Sequence, residues 1–176
     1  MNEVLNAIAK RSSTRAYTEQ KLTDEELNSL ILAGLQAPTS GNEQEIHITV
    51  LDGSNPILAE IEEEKNKSMG LYNPQNNFYC GAPTVLMLSG DASFYWSKVD
   101  AGIAAENIAI AAESMGLGSL IVGCIKDAMY GEKKAYFENA LKFPAGYEYE
   151  ISIALGHKAL EKEPHEFDEE KLVTYL

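Results

Sequence analysis

Hydrophobic positions along this chain repeat with two periods, one helical and one of two residues. Val4, Leu5, Ile8 and Ala9 fall on one face of a short helix that ends near Arg11. Thr23-Asp24-Glu25-Glu26 has capping-box spacing, and Leu27, Leu30, Ile31 and Leu35 make the buried stripe of a helix that stops before Pro38. In EIHITVL, residues 45–51, Ile46, Ile48 and Val50 alternate with His47 and Thr49, the period of a half-buried strand. Asn55-Pro56 suits an N-cap and first helical position, opening a helix through about Glu64. The pattern then dissolves into a Gly, Asn and Pro-rich stretch over residues 65–83, which reads as a long loop.

Further along, TVLMLSG at 84–90 is a continuous apolar run of central-strand length. Residues 100–115 form an Ala-rich helix broken at Gly116, followed by the strand-like SLIVG of 119–123. A helix through 132–141 and a strand, YEISIAL at 149–155, complete the core. Strands separated by helices, two of them fully apolar, indicate a central sheet covered on both faces. The small residues of 100–115 fit a plain core helix, and equally a close subunit contact.

The 176 residues suggest a single domain spanning 1–176, with 157–176, acidic and weakly periodic, as a C-terminal arm. With 14 Lys and Arg against 27 Asp and Glu, the formal charge of −13 repels nucleic acid and anionic membrane surfaces. Cys80 and Cys124 are lone thiols outside any CxxC, and His47, His157 and His165 are scattered, so no zinc site, redox dithiol or other metal centre is expected. No signal-peptide pattern and no membrane span stands out, which points to the cytoplasm.

Against this acidity, KRSSTRAY at 10–17 places Lys10, Arg11 and Arg15 around Ser12, Ser13 and Thr14. Cations at a helix C-terminus are favoured by the macrodipole alone. Two guanidinium groups and three hydroxyls within five residues can also surround a phosphate with charge-assisted donors. No GxGxxG and no GxxxxGK[ST] is present, so side chains rather than a Gly-rich cradle would hold such a phosphate. Pro38-Thr39-Ser40-Gly41-Asn42 alone reads as an ordinary loop, and Glu43 and Glu45 share a strand face by period two, a weak candidate for acid–base work.

Taken in order, RSSTRAY, APTSGNEQ, GAPTVLMLSGD, DAGIAAENIAIAAESMGLGS and IALGH resemble the nitroreductase family of FMN-dependent oxidoreductases from about residue 4 to residue 157. The resemblance implies an α+β fold with a central, mainly antiparallel sheet flanked by helices, and a homodimer with FMN at the subunit interface. It implies that Arg11, Ser12, Ser13 and Arg15 bind the flavin phosphate and ribityl chain. Pro38, Thr39, Ser40, Asn42 and Gln44 would approach the flavin from the other subunit, and the backbone around Val122 and Gly123 would lie against the ring and donate a hydrogen bond near its N5. No protein group need act as catalytic acid or base, because the flavin carries the chemistry.

Two positions depart from the family pattern. Its Gln-Pro-Trp is here Gln44-Glu45-Ile46, which replaces an aromatic wall with a carboxylate. Its late phosphate-binding cation is replaced by EKEPHEFDEE, so Lys158, Lys162 or His165 substitutes, or the two early arginines act alone. The expected activity is two-electron transfer from NAD(P)H to a small electron-poor acceptor such as a nitroaromatic or quinone. The alternatives are a specialised flavoenzyme, such as a reductive dehalogenase or ene-type reductase, and a non-catalytic FMN-binding protein.

Overall fold

A computed structural model describes residues 2–69, 77–163 and 166–176. Strands β1 (His47–Asp52), β2 (Thr84–Asp91), β3 (Leu117–Val122) and β4 (Tyr147–His157) form one sheet in the order β1-β2-β4-β3, every neighbouring pair antiparallel. This is the antiparallel α+β sheet that the family resemblance implies. The central position of β2 follows from its composition, since an uninterrupted apolar run has two faces to bury. Its side chains divide by parity: Val85 and Met87 join one core cluster, Leu86 and Leu88 the other.

Helices α1 (Glu3–Lys10), α2 (Asp24–Leu35) and α4 (Ser97–Ser114) belong to one side of the molecule, where α4 packs on the sheet and α1 and α2 pack on α4. Leu30 and Ile108 meet Leu86, Leu88, Ile153 and Leu155 in that core. On the opposite face α3 (Pro56–Ser68), α5 (Lys126–Met129) and α6 (Lys134–Ala140) bring Leu58, Ile61, Met129 and Phe137 against Val85, Met87 and Ala154. A short helix, α7 (Glu169–Leu172), has no buried residue. Local signals hold where they are chemical: Thr23 and Glu26 make a reciprocal capping box, and Asn55 caps α3 with Pro56 at its first turn.

Several expectations are corrected. The helix placed through Glu64 runs to Ser68, because Lys65 and Asn66 are buried and Lys65 pairs with Asp127. A charged pair there replaces the apolar residue that periodicity seeks. Of the expected long loop, residues 70–76 lie outside the described residues. The helix expected over 132–141 is α6, preceded by a separate short helix, α5, that was not expected, and β3 and β4 each start two residues earlier than expected. Leu35 is 59% exposed rather than part of a buried stripe, and Val50 is also exposed. Small residues of α4 do cover its own sheet: Ala101, Ala104, Ala105, Ala109 and Ala112 are all buried within this chain.

After α1 the chain follows the outer edge of β3. Ser13 bridges Ser119 in parallel, with Thr14 N donating to Ser119 O at 2.8 Å. It then crosses to the end of β4, where Tyr17 bridges Lys158, Thr18 N donates to His157 O and Ala159 N donates to Ala16 O. The expected arm therefore separates from the sheet later than residue 157. This passage needs a glycine in β3: a Cβ at Gly118 would stand 2.7 Å from Thr14 Cγ2. Among the described residues no helix is long and apolar enough to cross a membrane.

Candidate active site

A cleft of about 320 Å³ opens beside the end of β3, lined chiefly by Arg15, Phe78, Cys80, Leu120, Val122 and Gly123. It brings together Arg15, Val122 and Gly123, three of the residues singled out in the sequence. The Arg15 side chain is positioned by the edge pairing at Ser13 and Thr14, and its Nη1 donates to Ser13 O at 3.4 Å. Among the described residues no carboxylate pairs with this guanidinium. In a chain of net charge −13, an arginine without an acid partner is a strong attractor for an external anion.

Arg11 is placed differently. Its Nε lies 3.5 Å from Glu106 Oε1 on α4, so part of its charge is already answered. Ser12 and Ser13 are half-buried between the two arginines. Lys158, one of the proposed substitutes for the late cation, is engaged elsewhere: its Nζ donates to both carboxylate oxygens of Glu113 at 3.0 and 2.9 Å. Burial alone would lower the Lys158 pKa, but the Glu113 bonds outweigh it and hold the ammonium above its usual value. Lys162 lines a separate, broad depression of about 1020 Å³ with Lys10, Glu113 and Glu161, and His165 lies outside the described residues.

The floor of the cleft is held by groups the sequence did not mark. The Val122 carbonyl accepts from Tyr149 Oη at 2.8 Å and from Ser152 Oγ at 2.9 Å, and both side chains are buried on β4. Glu62 of α3 accepts from Phe78 N at 2.6 Å and Tyr79 N at 3.3 Å, which fixes the opposite wall. Burial raises the Glu62 pKa even against these two bonds. Cys80 has a φ of 56° and sits in the wall itself; burial pushes its thiol pKa up, and that of Cys124 too, so neither is an activated thiolate.

Residues 38–44 lie apart from this cleft, in a short 3-10 turn (Ser40–Asn42) between α2 and β1. Ser40 N donates to Asp100 Oδ2 at 2.8 Å, and Gln44 N to Thr39 Oγ1 at 2.9 Å. Asn42 and Gln44 take left-handed φ values of 58° and 53°, beside Gly41 at 66°. Two non-glycine residues in that region cost on the order of 1 kcal/mol each. Pro38 and Asn42 are exposed, and Thr39 and Gln44 border a small apolar crevice with Leu35, Ala37, Ile46 and Ile48.

Glu45 follows this turn and precedes β1, so the expected period-two pairing with exposed Glu43 does not arise. Its side chain is 7% exposed, and neither carboxylate oxygen has a hydrogen-bond partner among the described residues. Burial raises its pKa, reinforced by the neighbouring Asp100 and Glu43 carboxylates. Two facing carboxylates cannot hydrogen-bond until one holds a proton, so the missing partner and the raised pKa describe one situation.

Residues 8–157 match the Nitroreductase family, and the chain belongs to it. A crystal structure of a nitroreductase with bound FMN from Desulfitobacterium hafniense DCB-2 superposes with a TM-score of 0.89 at 30% identity, covering 100% of this chain and 99% of that one. An FMN reductase (NADPH) of Bacillus subtilis is 30% identical over 73% of this chain and 57% of its own length. A second B. subtilis FMN reductase, using NAD(P)H, is 28% identical over 90% of this chain and 67% of its own.

Proposed function

We propose that this protein is an FMN-dependent oxidoreductase that moves two electrons from NAD(P)H to a small electron-poor acceptor such as a nitroaromatic or quinone. The observation that carries the reading is the pairing of Arg15, a guanidinium with no acid partner among the described residues, with the exposed backbone of Gly123 in one cleft. That donor set suits FMN: cations and hydroxyls for a phosphate, and a bare backbone for a flat ring. Gly123 supports the fit, since a Cβ there would meet no protein atom within 4 Å and would project into free space. FMN, when bound, supplies the two-electron chemistry.

The chain's own share is to bind and orient. Arg15 faces the phosphate, with Ser12 and Ser13 as hydroxyl donors and Arg11, moderated by Glu106, in support. The residue 122–123 backbone would hold the ring, with Phe78 and Cys80 as the neighbouring wall. Lys158 is tied to Glu113 and Lys162 lines a separate depression, so among the described residues the two early arginines are the candidates for the phosphate cations. Neither thiol is set up as a nucleophile, in keeping with chemistry that resides in the cofactor.

The same reading takes residues 1–176 as a single domain that works as a homodimer. Val4, Leu5 and Ile8 on α1 and Leu32 and Leu35 on α2 present large exposed apolar side chains in one chain. A partner would cover them, and its Pro38, Thr39, Ser40, Asn42 and Gln44 would complete the cleft. Cys80 and Cys124 are both free, which supports a reducing compartment, the cytoplasm.

The test is the absorbance spectrum of the purified protein, with mass spectrometry of the released ligand, followed by NADH and NADPH oxidation with and without a quinone or nitroaromatic. A flavin spectrum, FMN mass and acceptor-dependent turnover are expected. Release of FAD, or no affinity of the apoprotein for FMN, would sink the reading. Tight FMN binding without turnover would leave a binding protein and remove the enzyme.

A further inference from the structure

The peptide unit joining Val122 to Gly123 has its carbonyl on one side and its N–H on the other, because a trans peptide is planar and the two groups point in opposite directions. No cis peptide occurs among the described residues. The carbonyl is turned inward, where it receives the Tyr149 hydroxyl at 2.8 Å and the Ser152 hydroxyl at 2.9 Å. The Gly123 N–H is therefore turned outward, into the cleft that Arg15, Phe78 and Cys80 line. Gly123 lies just beyond β3, and among the described residues no protein acceptor takes its N–H.

Two hydroxyls on one carbonyl is more than orientation requires. Tyr149 and Ser152 are 1% and 0% exposed, and burial raises the Tyr149 pKa, so its phenol stays protonated and remains a donor. Their oxygens are 3.2 Å apart, yet each hydroxyl has a single proton and both reach the same acceptor. In a low-dielectric interior, hydrogen bonds accepted by a carbonyl polarise the whole amide and sharpen its N–H as a donor. Neither residue touches the cleft; each acts through the peptide.

We infer that Tyr149 and Ser152 are positioning residues that lock and polarise the 122–123 peptide, making Gly123 N–H the donor that selects the electron-rich, reduced state of the bound ring. The ligand half of this inference rests on the FMN reading above; the peptide clamp does not. A polarised donor stabilises whichever oxidation state carries more negative charge, and reduction adds that charge. The pair would thus set the cofactor's potential without contacting it.

The experiment compares wild type with Ser152→Ala, Tyr149→Phe and the double variant, with Tyr130→Phe as control. Tyr130→Phe also loses a hydroxyl bond, a partly buried one to the Tyr149 carbonyl at 2.7 Å, but leaves the Val122 carbonyl untouched. The Gly123 amide proton in the FMN-free protein, followed by NMR, should move upfield in both single variants and further in the double one. In the FMN-loaded protein the affinity for reduced relative to oxidised FMN, read from the midpoint potential, should fall about two- to tenfold in the double variant. If Tyr149→Phe fails to fold, Ser152→Ala alone carries both measurements. An unmoved Gly123 amide, a loaded potential equal to wild type, or an equal response in Tyr130→Phe overturns the inference. A moved amide in a protein that never binds FMN would keep the clamp and sink the FMN reading instead.

Discussion

Residues 11–15 and residues 38–44 both supply candidate ligand groups, yet they are held by different means. The first stretch is laid along a sheet edge by backbone hydrogen bonds to Ser119 and, further on, to residues 157–159. It has ordinary backbone angles and ends in an arginine facing a cleft. The second is fastened mainly by one carboxylate, Asp100, and keeps two non-glycine residues left-handed. Beside it lies a buried carboxyl with no hydrogen-bond partner among the described residues. The first stretch is set by the sheet; the second is strained and lies apart from the cleft of its own chain, which supports the proposal that it serves a second copy.

The sharpest way to break this comparison is to separate the copies. Charged substitutions at exposed apolar positions, Leu5→Glu with Ile8→Glu, should leave the chain folded but monomeric by light scattering. FMN affinity should then drop at least about a hundredfold, since half the contacts leave with the partner. A monomer with wild-type affinity would mean that residues 11–15 and 122–123 suffice.

Next in size is Arg15→Ala, which removes a charge-assisted contact worth roughly 1.5 to 3 kcal/mol and should weaken FMN about ten- to a hundredfold in a fluorescence titration. Arg11→Ala should cost less, because Glu106 already takes part of that charge. Riboflavin, without the phosphate, should bind all three proteins alike. Equal losses at Arg11 and Arg15 would show that the Glu106 pair gives way when a phosphate arrives.

A smaller effect is expected from Gly123→Ala. No protein atom lies within 4 Å of the new methyl, so stability in urea should stay within about 0.5 kcal/mol of wild type while FMN binding weakens several-fold. Loss of stability with unchanged binding would place the ring elsewhere.

The subtlest change concerns the second stretch. The Glu45 pKa lies above its ordinary 4.5 in the folded protein, so its contribution to stability is intact below that value and is lost as the pH rises through the folded pKa. Glu45→Gln should flatten this loss and raise the relative stability of the variant on the alkaline side. Glu150, pushed up to about 7 chiefly by burial, adds a similar slope from a site away from both stretches. Unfolding curves at pH 5 and pH 8 for Glu45→Gln, Glu150→Gln and the pair should resolve two additive terms. A Glu45→Gln curve parallel to wild type would mean that Glu45 finds a cation in the assembled protein.

How much of this could be read beforehand depended on whether the cause was local. Thr23, Glu26, Asn55 and Pro56 act over one helical turn, so their spacing announced them. The central place of β2 followed from its unbroken apolar run, and the interior helices from their apolar period. Lys65 escaped because burying an ammonium requires Asp127, far along the chain. Tyr149 and Ser152 escaped for the same reason: in YEISIAL they look like ordinary strand positions, and only the pairing of Val122 with Ser152 across β3 and β4 brings their hydroxyls to one carbonyl. Arg11 and Arg15 look equivalent in KRSSTRAY, and α4 separates them by delivering Glu106 to one alone.

The edge pairing that places Arg15 also sets an order of events during synthesis. Residue 15 leaves the ribosome long before Ser119, the partner that fixes Thr14, and longer still before residues 157–159. Until those strands are made, the basic stretch has no edge to lie along, and such non-local closure is slow to form. A nascent chain therefore has no assembled cofactor seat to offer until β3 and β4 are both in place, so cofactor loading belongs to the last stage of maturation.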